Sequence, residues 1–379
     1  MNTLCRLGIS SMLALCVAAG AAHATPPTDL PAQPLGPAGE LYLPEVQGNT
    51  VAVIDTATNT VQQRVPTGPD TKPGVLAASK DGKKIYVDNF GFTPPSVTVI
   101  DRPSNTTRSI PVESPPLGIF TSNDGKEIFV PEVGFVIEVI DVATDTVVRR
   151  FRFPDLATGR FPDIPAGAIQ GPDDLLYVGF MNTGMIEAID PITGKVVRPP
   201  LIVGGFGTFW YTFSKDGSKL YANSINTISV IDLRNWRVTK LIHTSADGNY
   251  HPGNPGAFVS TLTPDGSKLY VTVFGGKDVL IIDTAKDEVI GRIPTTGAST
   301  AVMFSEDGTR GYISDVGPST NAYPGPLLDP LLFGNLVTMG VGLTPGQVIV
   351  FDPRTDQIVG DPIPTKVGPG VPLWLPTLQ

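Results

Sequence analysis

Val51-Ala52-Val53-Ile54-Asp55 is an apolar β-run that closes on an aspartate, and the pattern returns six more times along the chain. The later aspartates are Asp101, Asp141, Asp190, Asp232, Asp283 and Asp352, after runs such as Val97-Thr98-Val99-Ile100, Ile228-Ser229-Val230-Ile231 and Val348-Ile349-Val350-Phe351. β-Branched residues of this kind suit a pleated, half-buried surface. The spacings are 46, 40, 49, 42, 51 and 69 residues. A repeat of this length is the period of a four-stranded propeller blade.

A second element keeps step with the first. Lys80-Asp81-Gly82 precedes Ile85-Tyr86-Val87, and the pair returns as Asn123-Asp124-Gly125, Lys215-Asp216-Gly217, Pro264-Asp265-Gly266 and Glu306-Asp307-Gly308, each before its own apolar run. Asp173-Asp174 before Leu176-Tyr177-Val178 is a degenerate copy. Asp-Gly between two apolar runs predicts a type I′ hairpin, because glycine supplies positive φ without steric cost. Each blade therefore reads as strand A, the Asp-Gly turn, strand B, a variable connection, strand C ending on its aspartate, and strand D. Asp55, Thr58 and Val61, or Asp141, Thr144 and Val147, give the C-to-D pattern, in which Asp and Thr side chains bond nearby amides and shape the turn.

On these two motifs, with Leu269-Tyr270-Val271-Thr272 as the nearest copy of the strand B signature, the chain resembles the YVTN family of β-propeller repeat proteins. The likeness covers nearly all of the chain after residue 39. It implies an all-β, seven-bladed β-propeller; it implies no single activity, since that family holds binding proteins and relatives of enzyme subunits. The termini predict how the ring closes. Gly39-Glu40-Leu41-Tyr42-Leu43 reads as a strand B with no strand A before it, while Gly370-Val371-Pro372-Leu373-Trp374-Leu375 reads as a strand A with no blade after it. The first blade is thus expected to be closed by the C-terminal strand, which removes exposed sheet edges.

Residues 1–24 read as a signal peptide, with Arg6 as the basic start, Leu7 to Val17 apolar, and Ala22-His23-Ala24 as the cleavage pattern. Residues 25–38 form an N-terminal extension, and 39–379 the propeller with a long insertion about 317–345 in the seventh blade. Cys5 and Cys16 both lie in the leader, so the exported chain has no cysteine. The expected address is the periplasm or the outside of the cell. No later apolar run reaches the roughly 18 to 20 residues that span a bilayer, which argues against a transmembrane protein. The formal net charge of −9 argues against a nucleic-acid partner.

In propellers the B-to-C and D-to-A connections share the face on which ligands bind. Glu45, Asp88, Asn89, Glu132, Asn182, Asn223 and Asp315 follow strand B in successive blades and are expected there as a ring of oxygen donors. Such a ring suits a polar ligand or a divalent metal such as calcium. Trp210, early in strand A of the fifth blade, is a candidate stacking wall. His243, Asp247 and His251 lie in one loop between blades five and six and, with Glu132, are the metal candidates, His251 also serving as a candidate base at the channel. The insertion carries Tyr323-Pro324-Gly325-Pro326-Leu327-Leu328 and Leu331-Leu332-Phe333, an apolar composition that suits a lid or a docking surface.

No Cys-x-x-Cys-His is present, so covalent haem is excluded, and neither a Gly-x-Ser-x-Gly elbow nor a phosphate-binding Gly-Lys loop appears. The sequence therefore points to a propeller that binds a small molecule or an envelope protein partner through its loop-rich face. The alternative is a metal-assisted lactonase-like or lyase-like enzyme with its site at the central channel.

Overall fold

In a computed structural model the protein is described at residues 38–91, 94–205, 207–224, 227–249, 256–274, 276–318 and 344–378. The leader, His251 and nearly all of the seventh-blade insertion lie outside these residues. Seven antiparallel sheets follow one another in chain order. Blade 2 is representative: strand A is Pro73–Ala78, B Lys84–Asn89, C Ser96–Asp101 and D Thr106–Pro111. The inner strands touch one another in sequence around the ring. The architecture is a seven-bladed β-propeller.

Closure is as the termini predict. Leu373–Pro376 pairs with Gly39–Glu45, setting Leu41 opposite Trp374 and Gly39 opposite Pro376. Trp374 is buried, and its indole lies where a Cβ on Gly39 would stand, so residue 39 must be glycine for the ring to close. Arg102 of blade 2 clasps the junction from outside, donating to Tyr42 Oη, Glu40 Oε2 and the carbonyls of Gly82 and Pro376.

The A-to-B turns differ from the expected type. In Ser79-Lys80-Asp81-Gly82 only the glycine has positive φ, and its N–H donates to the Ser79 carbonyl at 2.9 Å. This is a type I turn ended by a left-handed residue, not the type I′ turn, which needs positive φ at both central positions. Ser79 Oγ and the Lys83 amide both donate to Asp81 Oδ1, so the aspartate fixes the turn from within. Asp174 takes the left-handed position in the degenerate copy of blade 4. The C-to-D aspartates act as expected: Asp141 Oδ1 accepts from the Thr144 amide and hydroxyl, each at 2.8 Å. Four residues after each of the seven aspartates the chain is left-handed, at Asn59, Asn105, Asp145, Gly194, Trp236, Asp287 and Asp356.

That left-handed residue also fastens blade to blade. Tyr221 Oη and Lys219 Nζ of blade 5 both donate to Asp287 of blade 6. Lys84 and Tyr86 grip Asp145 in the same way, and Lys268 and Tyr270 grip Asp356. Wherever strand B reads Lys-x-Tyr, the next blade carries Asp at this position.

Candidate functional site

The B-to-C and D-to-A connections define the upper face, and the Asp-Gly and C-to-D turns the lower. Of the strand B residues expected as an open ring at the upper mouth, all but Asn182 are buried, and the four carboxylates are turned toward backbone amides. Asp88 Oδ1 accepts from the amides of Val75, at 2.5 Å, and Gly74, at 3.2 Å, where the chain enters strand A. Asp315 accepts from Thr296 N and Oγ1, Gly297 N, Gly317 N and Gln347 Nε2. Glu45 takes the Lys366 amide at 2.8 Å and Arg64 Nε at 2.9 Å. Glu132 Oε2 takes Ser114 N at 2.7 Å and Ser114 Oγ at 3.0 Å. One physical reason covers Asp88, Glu132 and Asp315: amides of the D-to-A connection and of its entry into strand A lack a ladder partner, and a carboxylate at the end of strand B is the nearest acceptor, whereas Glu45 takes an amide from within strand D of blade 7.

The side-chain amides among the candidates are engaged differently, as donors. Asn89 Nδ2 donates to Ser96 and Thr98 hydroxyls, and Asn223 Nδ2 to the Phe258 carbonyl. Asn182 is exposed, and it is held by Asp163, a residue the repeat pattern did not single out. Asp163 also accepts from Thr183 N and Oγ1. It stands just before strand A of blade 4, so the donor and acceptor sides of the joint are exchanged in this blade. The absence of an acid at the end of Leu176–Phe180 was the available signal.

Trp210 is half-buried, donates Nε1 to the Ser260 carbonyl at 3.0 Å and packs against Phe120 with centroids 5.4 Å apart. It joins an apolar cluster with Val75, Ile119, Val259, Ala301 and Val371 that fills the centre of the ring. Above it, Val46, Phe90, Phe258, Pro369 and Val371 line a shallow apolar depression. His243 and Asp247 share a groove of about 470 Å³ with Arg292 at the edge of blades 5 and 6. There Asp247 Oδ1 accepts from Ser245 Oγ and Asn249 N. Among the described residues no three His, Cys, Asp or Glu side chains are grouped to hold a metal ion.

Burial gives the upper carboxyls unusual protonation. Desolvation pushes Asp88 up to about 8 against the pull of its two amides. Glu132 is also raised to about 8, by burial first and then by the Glu138 carboxylate. Glu187, in strand C of blade 4, is raised to about 7 by burial. Glu138 occupies the matching place in strand C of blade 3, three residues before the closing aspartate.

The class of protein is that of the seven-bladed β-propellers, and the solved structures similar to this chain agree. Hydrazine synthase from Kuenenia stuttgartiensis is 20% identical, with a TM-score of 0.56 over 82% of this chain and 92% of that one. Dihydro-haem d1 dehydrogenase NirN in complex with DHE is 17% identical, with a TM-score of 0.57 over 91% and 77%. A functionally unknown protein from Desulfotomaculum acetoxidans is 13% identical, with a TM-score of 0.64 over 88% and 98%. At these identities the likeness is one of fold. No family model and no curated protein matches the chain. No helix among the described residues is long and apolar enough to cross a membrane.

Proposed function

We propose that this chain is an exported propeller of the YVTN type that binds a ligand or an envelope protein partner on its upper face, without catalysing a reaction. The observation that carries this reading is the division of labour at that face. The acidic side chains suited to metal or acid–base chemistry are buried and occupied by backbone amides, and the depression at the centre of the face is lined by apolar side chains, Val46, Phe90 and Val371 buried beneath it and Phe258 partly exposed. The long apolar insertion, by its sequence, leaves the fold on the same side, between strands B and C of blade 7. Apolar surface next to a polar rim favours association.

Replacing residues 319–343 by a short Gly-Ser linker tests this reading. The expected result is an unchanged thermal midpoint, with loss of a partner that the full-length protein retains from periplasmic extract. The rival, a metal-assisted lactonase-like or lyase-like enzyme, is favoured by one feature, the buried carboxyl pair of Glu132 and Glu138. A stoichiometric divalent ion in purified protein, lost in Glu132→Ala or His251→Ala, would overturn the binding reading in favour of that rival.

A further inference from the structure

We infer that Glu132 and Glu138 share a single proton and thereby form a pH-responsive joint where blade 3 meets blade 2. Register places Glu132 opposite Val136 and Glu138 opposite Val130, so both carboxyls lie on one face of strands B and C. This face is the one whose Ile128, Val130 and Ile140 pack on Tyr86, Val97 and Val99 of blade 2. Both glutamates are fully buried.

Their four oxygens divide evenly. Glu132 Oε2 is satisfied by Ser114, and Glu138 Oε1 takes Arg150 Nε at 2.6 Å. Glu132 Oε1 and Glu138 Oε2 have no donor, and the register makes the two side chains diagonal neighbours on this face. Two facing buried acceptors with no donor are stable only if one of them carries a hydrogen. Arg150 already donates to Glu138, whereas burial raises the Glu132 carboxyl, so Glu132 is the proton carrier.

The surrounding charges do not supply a substitute donor. Arg152, on strand D with Arg150, is engaged bidentately by Glu113 of the D-to-A connection. From blade 2, Tyr86 and Arg108 turn to this seam but are held by Asp145, and Asp88 brings a further acid. Loss of the proton therefore sets two carboxylates against one arginine beneath the Ser114 connection on the upper face. Burial raises the Glu132 carboxyl to about 8, so this loss falls near neutrality, where an envelope protein meets changes in its medium.

Glu132→Gln tests the joint, because an amide donates to Glu138 Oε2 without titrating. The thermal midpoint of the wild type should fall between about pH 6 and about pH 9, and that fall should be smaller in the variant, leaving it the more stable protein at the alkaline end. In parallel, infrared spectra of the wild type near pH 6 should contain a protonated-carboxyl C=O band that is weaker in Glu132→Gln and declines by pH 9. The infrared measurement stands even where the variant is less stable overall. An identical pH dependence in both proteins, or a protonated-carboxyl band of equal strength in both, would overturn the inference.

Discussion

The two faces of this propeller use the same functional group in opposite protonation states. On the lower face Asp81, Asp124, Asp216 and Asp265 sit at the tips of A-to-B turns, where a Ser or Thr hydroxyl and a backbone amide donate to each carboxylate and hold it below the usual carboxylate range. On the upper half Asp88, Glu132 and Glu187 accept amides too, but burial outweighs those bonds and raises each one. Water decides the sign. A turn tip leaves the ion solvated, so each added donor favours the charge; between blades the desolvation cost exceeds what one or two amides return.

Removing one upper carboxyl is the most severe way to break this comparison. Asp88→Ala strands the Val75 and Gly74 amides at the start of an inner strand, and each buried donor left unmet costs about 1–3 kcal/mol. The expected outcome in urea unfolding at neutral pH is a loss of about 2–5 kcal/mol with an unchanged m value. Asp88→Asn keeps an acceptor for both amides and removes the titration. Relative to the wild type its stability should rise as pH climbs from the ordinary carboxylate range to about 8, the value to which Asp88 is raised, and the difference should level off above that. A loss in Asp88→Asn as large as that in Asp88→Ala would show that the charge, and not the acceptor, holds the strand.

The latches between blades lie at the lower end but are partly buried, so they should fall between the two extremes. Tyr270→Phe removes the hydroxyl from Asp356 and leaves Lys268 Nζ at 2.8 Å. A net hydrogen bond to a charged group contributes about 1.5–3 kcal/mol, and the surviving lysine pair keeps the cost at the low end of that range. A double-mutant cycle of Tyr270→Phe with Asp356→Ala should show coupling, whereas Tyr270→Phe with Asp287→Ala should be additive.

These latches also mark what the sequence made legible. The blade count, the closing strand and the capping role of the strand C aspartates follow from local patterns, because turn chemistry and β-alternation act within a few residues. The Lys-x-Tyr and Asp pairing was equally available, about sixty to ninety residues apart, but it becomes visible only once blades are set side by side. The upper acids were misread as an open ring for a related reason. Position in the repeat locates Asp88 and Asp315 at the end of strand B, but whether a side chain there meets solvent or the preceding connection depends on how that connection folds back. The reversed joint at Asp163 was missed because the acid moves from strand B to the D-to-A connection, off the repeat register. The type I turns were mistaken for type I′ because both place glycine at a positive φ and differ only at the preceding aspartate.

The smallest effect should come from Asp216, and its direction is what sharpens the comparison. The hydroxyl of Ser214 and then the amide and hydroxyl of Ser218 lower its carboxyl to about 2. A carboxylate whose folded value is depressed contributes stability that is present above its unfolded value, near 3.8, and lost as pH falls toward 2. Asp88 behaves in reverse: its folded value is raised, so its contribution is complete below its unfolded value and declines as pH rises to about 8. Asp216→Ala should therefore leave the thermal midpoint nearly unchanged at alkaline pH relative to its neutral difference from the wild type, and narrow that difference only on the acid limb. Asp88→Asn should change its difference from the wild type between the ordinary carboxylate range and about pH 8, and not below it. Midpoints of the two variants across pH, measured in parallel, would separate a solvated carboxylate fixed by its turn from a buried carboxyl fixed by its surroundings. If both variants bent the same limb, exposure would not be the variable that divides the two faces.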